Sequence, residues 1–320
     1  MRKGPAAGTY AAPLLLLLGA AIVSCGGRPS ERGEPVKSAE ERTGAAAGDS
    51  AEGGGESEGD LAEAIVRLSA GAAGNAGITQ AGFPDHLRLV LEKAELPGDL
   101  SLDILAAASE NPAFILDFLS CLEGDPFLRR LVDKQHPLPP YYEPDDLVPL
   151  RPSSYETSRG DLRLRQEAAG ALEEMAASAR DGGVVLVVSS SYRSYDYQAV
   201  VYARNVQEMG QENADRESSR PGFSQHQTGF AADFGSITDA FAETEAGLWM
   251  AENAGRFGWS LSFPAGYEEV TGYRWESWHF RYVGKELAAF IDNYFGGIQQ
   301  YALRFIHEWE AAERTVSSAP

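Results

Sequence analysis

The sequence has few cysteines and few basic residues for its length. Cys25 and Cys121 are the only cysteines in 320 residues, so a disulfide-rich fold is excluded. Lys and Arg number 27 against 47 Asp and Glu, which gives a net charge of −20. Binding to nucleic acid rests largely on Lys and Arg that neutralise phosphates. The composition therefore argues against a nucleic-acid partner and against a basic patch on a membrane surface.

Long apolar runs are missing as well. The 13 residues 11–23, AAPLLLLLGAAIV, are fewer than the roughly 20 that a membrane-spanning helix needs. Arg2 and Lys3 precede this run and Cys25 follows it, a pattern that resembles a lipoprotein signal peptide over residues 1–24. An ordinary signal peptide that contains a cysteine is the alternative. We expect an exported lipoprotein of the cell envelope, anchored to the membrane by lipid on Cys25 and facing the periplasm or cell wall.

Composition divides the rest of the chain. Residues 25–59 are rich in Gly, Ser, Glu and Ala and contain no aromatic residue, Leu or Ile, which predicts a disordered tether. Residues 60–135 predict several short helices, a segment that packs on the remainder or binds a partner. Its thiol, Cys121, lies in an apolar stretch and is predicted to be buried. Six prolines within 136–152 predict an extended connection.

Beyond the prolines, helical and strand patterns mix without strict alternation, which favours an α+β fold. The patterns predict helices at 161–180, 194–209, 248–257, 284–294 and 298–311, and strands at 184–188, 230–234, 259–263 and 278–283. The run VVLVV at 184–188 predicts a fully buried strand. We assign residues 136–297 to one domain and 298–320 to a C-terminal helix and tail. A monomer is expected.

Two short stretches contain residues that can bind a metal ion. In SQHQTGFAADFG, His226 precedes Asp233 by seven residues, and Gly229 can supply a bend between them. An aspartate in the apolar stretch FAADF is costly unless it is paired or binds a metal. In ESWHFRYVG, Glu276 precedes His279 by three residues, which puts them on opposite faces of a regular strand. Both can point at one ion only if the chain turns between them.

These residue types fit a zinc hydrolase. Two neutral imidazoles and one carboxylate can hold Zn²⁺ and leave one position open, and Glu276 suits a general base. Amide cleavage also needs a cation opposite the oxyanion, a role open to Arg193. Each residue alone has a simpler explanation: a capping aspartate, a surface glutamate, a core histidine or a surface arginine.

Taken together, the motifs resemble the zinc D-alanyl-D-alanine carboxypeptidases of the VanY type, which share the Hedgehog/D,D-peptidase fold. The pattern Ser-x-His-x-x-Gly-x-Ala-x-Asp is complete from Ser224 to Asp233, and Glu-x-Trp-His is complete from Glu276 to His279. Tyr-Arg-Ser at 192–194 and the glutamine Gln198 also match. The resemblance covers roughly residues 138–289. It implies a zinc peptidase domain with a small antiparallel sheet flanked by helices, preceded here by the small helical segment.

The resemblance also implies a role for each matching residue. One zinc ion would be held by His226, Asp233 and His279. Glu276 would move the proton and Arg193 would stabilise the developing negative charge, while Ser224 and Gln198 would hold the terminal carboxylate of the substrate.

The implied activity is removal of the terminal D-alanine from peptidoglycan stem peptides. An L,D-carboxypeptidase that acts on tetrapeptide stems is the alternative within enzymes. A non-catalytic lipoprotein that binds the cell wall is the alternative outside them, although a pure binder needs no general base.

Overall fold

The computed structural model describes residues 83–317. The predicted signal peptide, Cys25 and the tether lie outside the described residues. The helices are α1 (Phe83–Lys93), α2 (Gly98–Glu110), α3 (Pro112–Leu122), α4 (Gln166–Asp181), α5 (Tyr195–Met209), α6 (Gln211–Glu217), α7 (Glu245–Asn253), α8 (Glu268–Thr271), α9 (Lys285–Tyr294) and α10 (Gln299–Ser317). The 3₁₀ turns are Gln225–Thr228, Asp239–Glu243 and Ala254–Phe257. The strands are β1 (Leu147–Pro149), β2 (Glu156–Thr157), β3 (Arg163–Arg165), β4 (Val187–Ser190), β5 (Ala231–Phe234), β6 (Trp259–Leu261) and β7 (His279–Tyr282).

A five-stranded sheet lies at the centre of the fold, with the strand order β2-β4-β5-β7-β6. The pairs from β4 to β6 are antiparallel, whereas β2 and β4 run parallel. The sheet is therefore mixed at one edge and not wholly antiparallel as expected. Strands β1 and β3 form a separate antiparallel pair. The α+β class is confirmed, because the central sheet is mainly antiparallel and is not built from parallel β-α-β units.

Helix α4 begins later than predicted. The pattern predicts a helix from residue 161, but residues 163–165 form β3 and pair with β1. Arg165 explains the shift, because its amide donates to the Gly229 carbonyl at 3.0 Å and its Nε donates to Asp146 at 2.7 Å. These tertiary contacts outweigh a weak local helix propensity.

The buried strand predicted at 184–188 is also displaced, since β4 covers residues 187–190. The Val184 amide donates to the Ala179 carbonyl at the end of α4, at 2.9 Å. The hydrogen bonds between strands therefore begin only after this residue. Val185 is 41% exposed, which contradicts the prediction of a continuously buried run. The helix at 194–209 is confirmed, with the Ser194 side chain accepting from the Tyr197 amide at its start.

The helical segment shares a hydrophobic core with the C-terminal helices. Phe114 and Phe118 of α3 pack against Phe290 of α9, with ring centroids 5.5 and 5.8 Å from the Phe290 centroid. Phe118 also meets the Trp309 ring of α10 edge-on at 5.0 Å. Cys121 is buried in this core, as predicted, and burial raises the pKa of its thiol. Segment 83–122 is thus packed against the remainder of the described chain.

Within residues 83–317, no single helix has the length and apolarity to cross a membrane. Helices α2 and α3 are long and apolar enough only when they are taken together, and this pair is bent by 103°. Their apolar residues Ile104, Phe114 and Phe118 are buried in the core just described.

Candidate metal centre

Asp233 and His279 face each other across the middle of the sheet. They are directly paired in the antiparallel register of β5 and β7. The His279 Nδ1 atom lies 2.9 Å from Asp233 Oδ1. Both residues are buried, with 5% and 4% of their surfaces exposed. The register of two strands thus brings together residues that are 46 positions apart.

His226 reaches the same point from a 3₁₀ turn that precedes β5. The Ser224 hydroxyl caps the turn by accepting from the His226 amide at 3.3 Å. Gly229 ends the turn with a φ of +76°, and a Cβ there would lie 2.7 Å from Arg165 Cγ. The predicted bend between the two ligands is confirmed, and only glycine fits this conformation and this space.

Glu276 lies outside the strand, in the turn that leads into β7. The His279 amide donates to the Glu276 carbonyl at 3.2 Å, which closes the turn. Because the chain turns here, Glu276 Oε2 comes within 3.8 Å of His279 Nδ1. The condition set by the sequence, a turn between these residues, is met.

Hydrogen bonds fix which nitrogen of each histidine faces Asp233. His226 Nδ1 donates to the Ser191 carbonyl at 2.7 Å, and burial, then the charge of Arg193, lowers the pKa of His226 to about 4. The imidazole is therefore neutral, and its Nε2 presents a lone pair. This Nε2 faces Asp233 Oδ2 at 3.3 Å and has no hydrogen-bond partner among the described residues. Two acceptors in contact are unfavourable unless a cation lies between them.

A hydrogen bond also orients the ring of His279. His279 Nε2 lies 3.2 Å from Gln225 Oε1, which already accepts from the Ser262 hydroxyl at 2.7 Å. Since this oxygen only accepts, His279 Nε2 carries a hydrogen, and the neutral form of the ring presents the lone pair of Nδ1 to Asp233. The candidate ligand atoms of His226, Asp233 and His279 all lie within 4.8 Å of one another. Two imidazole nitrogens and a carboxylate oxygen form a donor set that suits zinc.

The two carboxyl groups of the site have opposite pKa shifts. Burial would raise the pKa of Asp233, but His226 and His279 outweigh it when they carry the proton and hold the pKa well below its usual value. A bound cation would act in the same direction when both rings are neutral. Burial, together with the negative charge of Asp233, raises the pKa of Glu276 well above its ordinary value. Asp233 is thus kept ionised, as a candidate ligand must be, and Glu276 is able to carry a proton.

Arg193 supplies a positive charge at the edge of this cluster. Its Nη2 lies 3.7 Å from Asp233 Oδ2, and its side chain is 16% exposed. Its Nε is buried and has no hydrogen-bond partner among residues 83–317. A free donor of this kind suits an oxygen on which negative charge develops.

Ser224 and Gln198 line the same cavity as the cluster. Gln198 is 1% exposed, and its Nε2 donates to the Ser219 carbonyl at 2.6 Å. Ser224 is 2% exposed, and its hydroxyl caps the turn of His226. The structure thus brings all seven predicted site residues of the domain to one cavity. The roles of these two residues toward a substrate stay predictions.

Sequence reasoning missed the polar residues behind the histidines. Gln225 orients His279, and Ser262 and Gln299 extend the network, since Ser262 Oγ lies 3.3 Å from Gln299 Oε1. Gln299 also donates to the Ser260 carbonyl at 3.2 Å. Glutamine is a poor metal ligand, so residue type gives no signal for Gln225. Its position beside His226 is the one available hint.

The fold and the site define a metallopeptidase type of centre, with two histidines and an aspartate as candidate ligands and a separate glutamate. The family described as "VanY: D-alanyl-D-alanine carboxypeptidase" matches residues 161–285. YodJ of Bacillus subtilis (strain 168), named as a candidate carboxypeptidase, is 38% identical over 185 residues, which are 56% of this chain and 68% of that protein. The chain belongs to the VanY family of peptidases, and the resemblance drawn from its motifs is confirmed.

Two further relatives have more specific names. A D-alanyl-D-alanine carboxypeptidase of Enterococcus faecium is 31% identical over 174 residues, 54% of this chain and 52% of the relative. The chain thus spans about half of that protein. VanXYC of Enterococcus gallinarum, a bifunctional D-Ala-D-Ala dipeptidase and carboxypeptidase, is 31% identical over 164 residues, 48% of this chain and 83% of the relative.

Solved structures of similar proteins include two peptidases. The LD-carboxypeptidase LdcB is 38% identical, with a TM-score of 0.48 over 52% of this chain and 85% of LdcB. A mutant of the D,D-pentapeptidase VanY in complex with Zn(II) is 31% identical, with a TM-score of 0.45 over 54% of this chain and 96% of the other.

Proposed function

We propose that this protein is a zinc carboxypeptidase that removes the terminal D-alanine from D-Ala-D-Ala stem peptides of peptidoglycan. The observation that carries the proposal is the convergence of His226 Nε2 and His279 Nδ1 on the Asp233 carboxylate, at 3.3 and 2.9 Å, with Glu276 beside them. The relative from Enterococcus faecium that bears the name of this activity supports the choice of substrate.

Zinc would be held by His226, Asp233 and His279. When bound, it supplies Lewis acidity and makes a water molecule nucleophilic near neutral pH. Glu276 takes the proton from the attacking water and later delivers it to the leaving amine, which a carboxyl with a raised pKa can do in both directions. Arg193 donates from its free Nε to the carbonyl oxygen as negative charge develops there.

The terminal carboxylate of the substrate would lie at the buried end of the cavity, beside Ser224 and Gln198. Gln198 uses one of its two amide hydrogens on the Ser219 carbonyl, so the other remains for a carboxylate oxygen. Both residues are buried, and we expect this end of the cavity to accept a small group such as one D-alanine.

Glu276→Gln tests the proposed chemistry. The amide keeps the shape of the side chain but cannot accept a proton, so we expect one zinc ion per chain and a loss of turnover on the order of 10²–10⁴-fold. Purified wild-type and variant protein would be incubated with pentapeptide and tetrapeptide muropeptides, and free D-alanine and bound metal would be measured. Full turnover by the variant would show that the mechanism is wrong. Cleavage of the tetrapeptide alone would identify an L,D-carboxypeptidase.

We infer that the protein is exported and anchored to the membrane by lipid on Cys25. The basic start, the short apolar run and the cysteine that follows support this location, where peptidoglycan is accessible. Expression of Cys25→Ala in a bacterial host should move the protein from the membrane fraction to the soluble fraction. Retention of that variant in the membrane would argue against the anchor.

A further inference from the structure

The metal centre opens into a cavity of about 360 Å³ with an arginine-rich wall. One wall is a face of α5, where Gln198, Val201 and Arg204 follow one another at the spacing of helical turns. Gln198 is buried at the inner end, whereas Arg204 is exposed at the outer end. Arg159 also lines the cavity and is exposed. We call Arg159 and Arg204 the basic rim.

The basic rim is unusual in a chain with a net charge of −20. The other arginines of the cavity have carboxylate partners. Arg193 lies 3.7 Å from Asp233, and Arg274 lies 2.8 Å from Asp239 and 3.2 Å from Glu217, which also lines the cavity. Arg159 pairs with Asp161, which is 74% exposed, and donates to the Tyr197 hydroxyl at 3.3 Å. Ion pairs at such exposed positions are weak. Arg204 has no ion pair in the described part of the chain. The rim therefore offers positive charge to whatever enters the cavity.

The position of Arg204 sets where on a peptide this charge acts. Arg204 follows Gln198 by six residues on α5, which is about 9 Å along the helix axis. An extended peptide advances roughly 3.3–3.6 Å per residue, so this distance spans two to three residues. With the carboxyl end of the substrate at Gln198, the residues that precede the cleaved bond lie along the rim.

We propose that Arg204, together with Arg159, binds a carboxylate on the peptide two to three residues before its carboxyl end, and so selects acidic stem peptides. This inference rests on the proposed function. A guanidinium binds a carboxylate through two parallel hydrogen bonds, which favours it over a neutral amide or an amine. The carboxylate can belong to the third residue from the carboxyl end, as in diaminopimelate, or to a γ-linked glutamate in the fourth position.

Four synthetic pentapeptides that end in D-Ala-D-Ala separate these sources. Counted from the carboxyl end, the third residue is diaminopimelate or lysine, and the fourth is glutamate with a free or an amidated carboxylate. Release of D-alanine by wild-type protein, Arg204→Gln and Arg204→Lys gives kcat and KM for each peptide. For Arg204→Gln we expect the preference for the acidic peptide over its neutral counterpart to fall about fivefold, through KM. Arg204→Lys should retain part of the preference, because it keeps the charge but not the paired hydrogen bonds.

Arg88→Gln is the matched control, since Arg88 is an exposed helical arginine in α1 that does not line the cavity. It should leave the preference unchanged. If Arg204→Gln lowers kcat/KM equally for all four peptides, or for none of them, the proposal is overturned.

Binding of the same peptides to Glu276→Gln, with and without Arg204→Gln, separates the rim from the chemistry. Binding that depends on Arg204 and on the carboxylate, together with no cleavage by wild-type protein, would support the rim and contradict the proposed activity. Cleavage of all four peptides at equal rates would support the proposed activity and contradict the role of the rim.

Discussion

At the residue scale, the metal centre depends on the tautomer of each histidine. The Ser191 carbonyl takes the hydrogen of His226 Nδ1, and Gln225 Oε1 takes the hydrogen of His279 Nε2. The two rings therefore use different nitrogens toward Asp233. A histidine whose second nitrogen is fixed in this way is a better oriented and more basic ligand.

Gln225→Leu should weaken zinc binding. The substitution removes the acceptor of His279 Nε2 and leaves the ring free to rotate or to exchange its tautomer. Losses of this kind typically lower metal affinity about 10–100-fold. Zinc affinity would be measured by competition with a chromophoric chelator, and turnover would be measured at saturating zinc.

Gln227→Leu provides the matched comparison for this prediction. Gln227 is also fully buried, but its Nε2 donates to the carbonyls of Pro139 and Tyr142, at 3.0 and 3.1 Å. Its loss should lower the free energy of unfolding and leave zinc affinity within a few-fold of wild type. Unchanged zinc affinity in Gln225→Leu would show that the hydrogen bond does not position His279.

At the element scale, the turns position the site as much as the strands do. Asp133 organises one such turn, before the proline-rich connection. Its carboxylate accepts from the Gln135 and His136 amides at 2.9 and 3.0 Å, from His136 Nδ1 at 2.7 Å and from Gln300 Nε2 at 2.7 Å. Burial alone would raise the pKa of Asp133, but these hydrogen bonds outweigh it and lower the pKa. The carboxylate joins the turn to α10.

Asp133→Asn should therefore destabilise the protein in a way that depends on pH. A carboxyl whose folded pKa is lowered stabilises the fold above its unfolded pKa of about 3.9, and this contribution is lost as pH falls through the folded value. We expect the variant to lose about 1–3 kcal/mol of unfolding free energy at neutral pH. The difference from wild type should shrink below about pH 4, as measured by urea unfolding across pH. Asp85→Asn, at an 86% exposed carboxylate, should cost less than about 0.5 kcal/mol. A difference that stays constant down to pH 2 would contradict this explanation.

The elements also show what could be predicted from sequence. The candidate ligands His226, Asp233 and His279 could be predicted, because few residue types bind zinc and their spacing follows a family pattern. The turn at Glu276 could be stated as a condition, because a regular strand would separate it from His279. The strand register that pairs Asp233 with His279 could not be predicted, because it depends on contacts between distant segments. The later start of helix α4, after strand β3, could not be predicted for the same reason.

At the scale of the whole molecule, the helical segment and the sheet domain are joined through α9 and α10. Phe118 in α3 packs on Phe290, Phe305 and Trp309. Helix α9 follows β7, which contains the candidate ligand His279. Gln299, at the start of α10, reaches into the network behind the same histidine. A loss of packing in the helical segment is thus transmitted to elements that support the site.

Phe118→Ala should destabilise the whole described fold, not the helical segment alone. Removing a fully buried phenylalanine typically costs about 3–5 kcal/mol, through lost burial and the cavity left behind. Because the core is shared, we expect the helical signal in circular dichroism and zinc retention to be lost in one transition, at a lower temperature than in wild type. Leu116→Ala is the control in the same helix, since Leu116 is 37% exposed and its loss should shift the transition little. Two separate transitions in Phe118→Ala, with zinc retained after the first, would show that the helices fold independently of the peptidase domain and could be removed without loss of the metal centre.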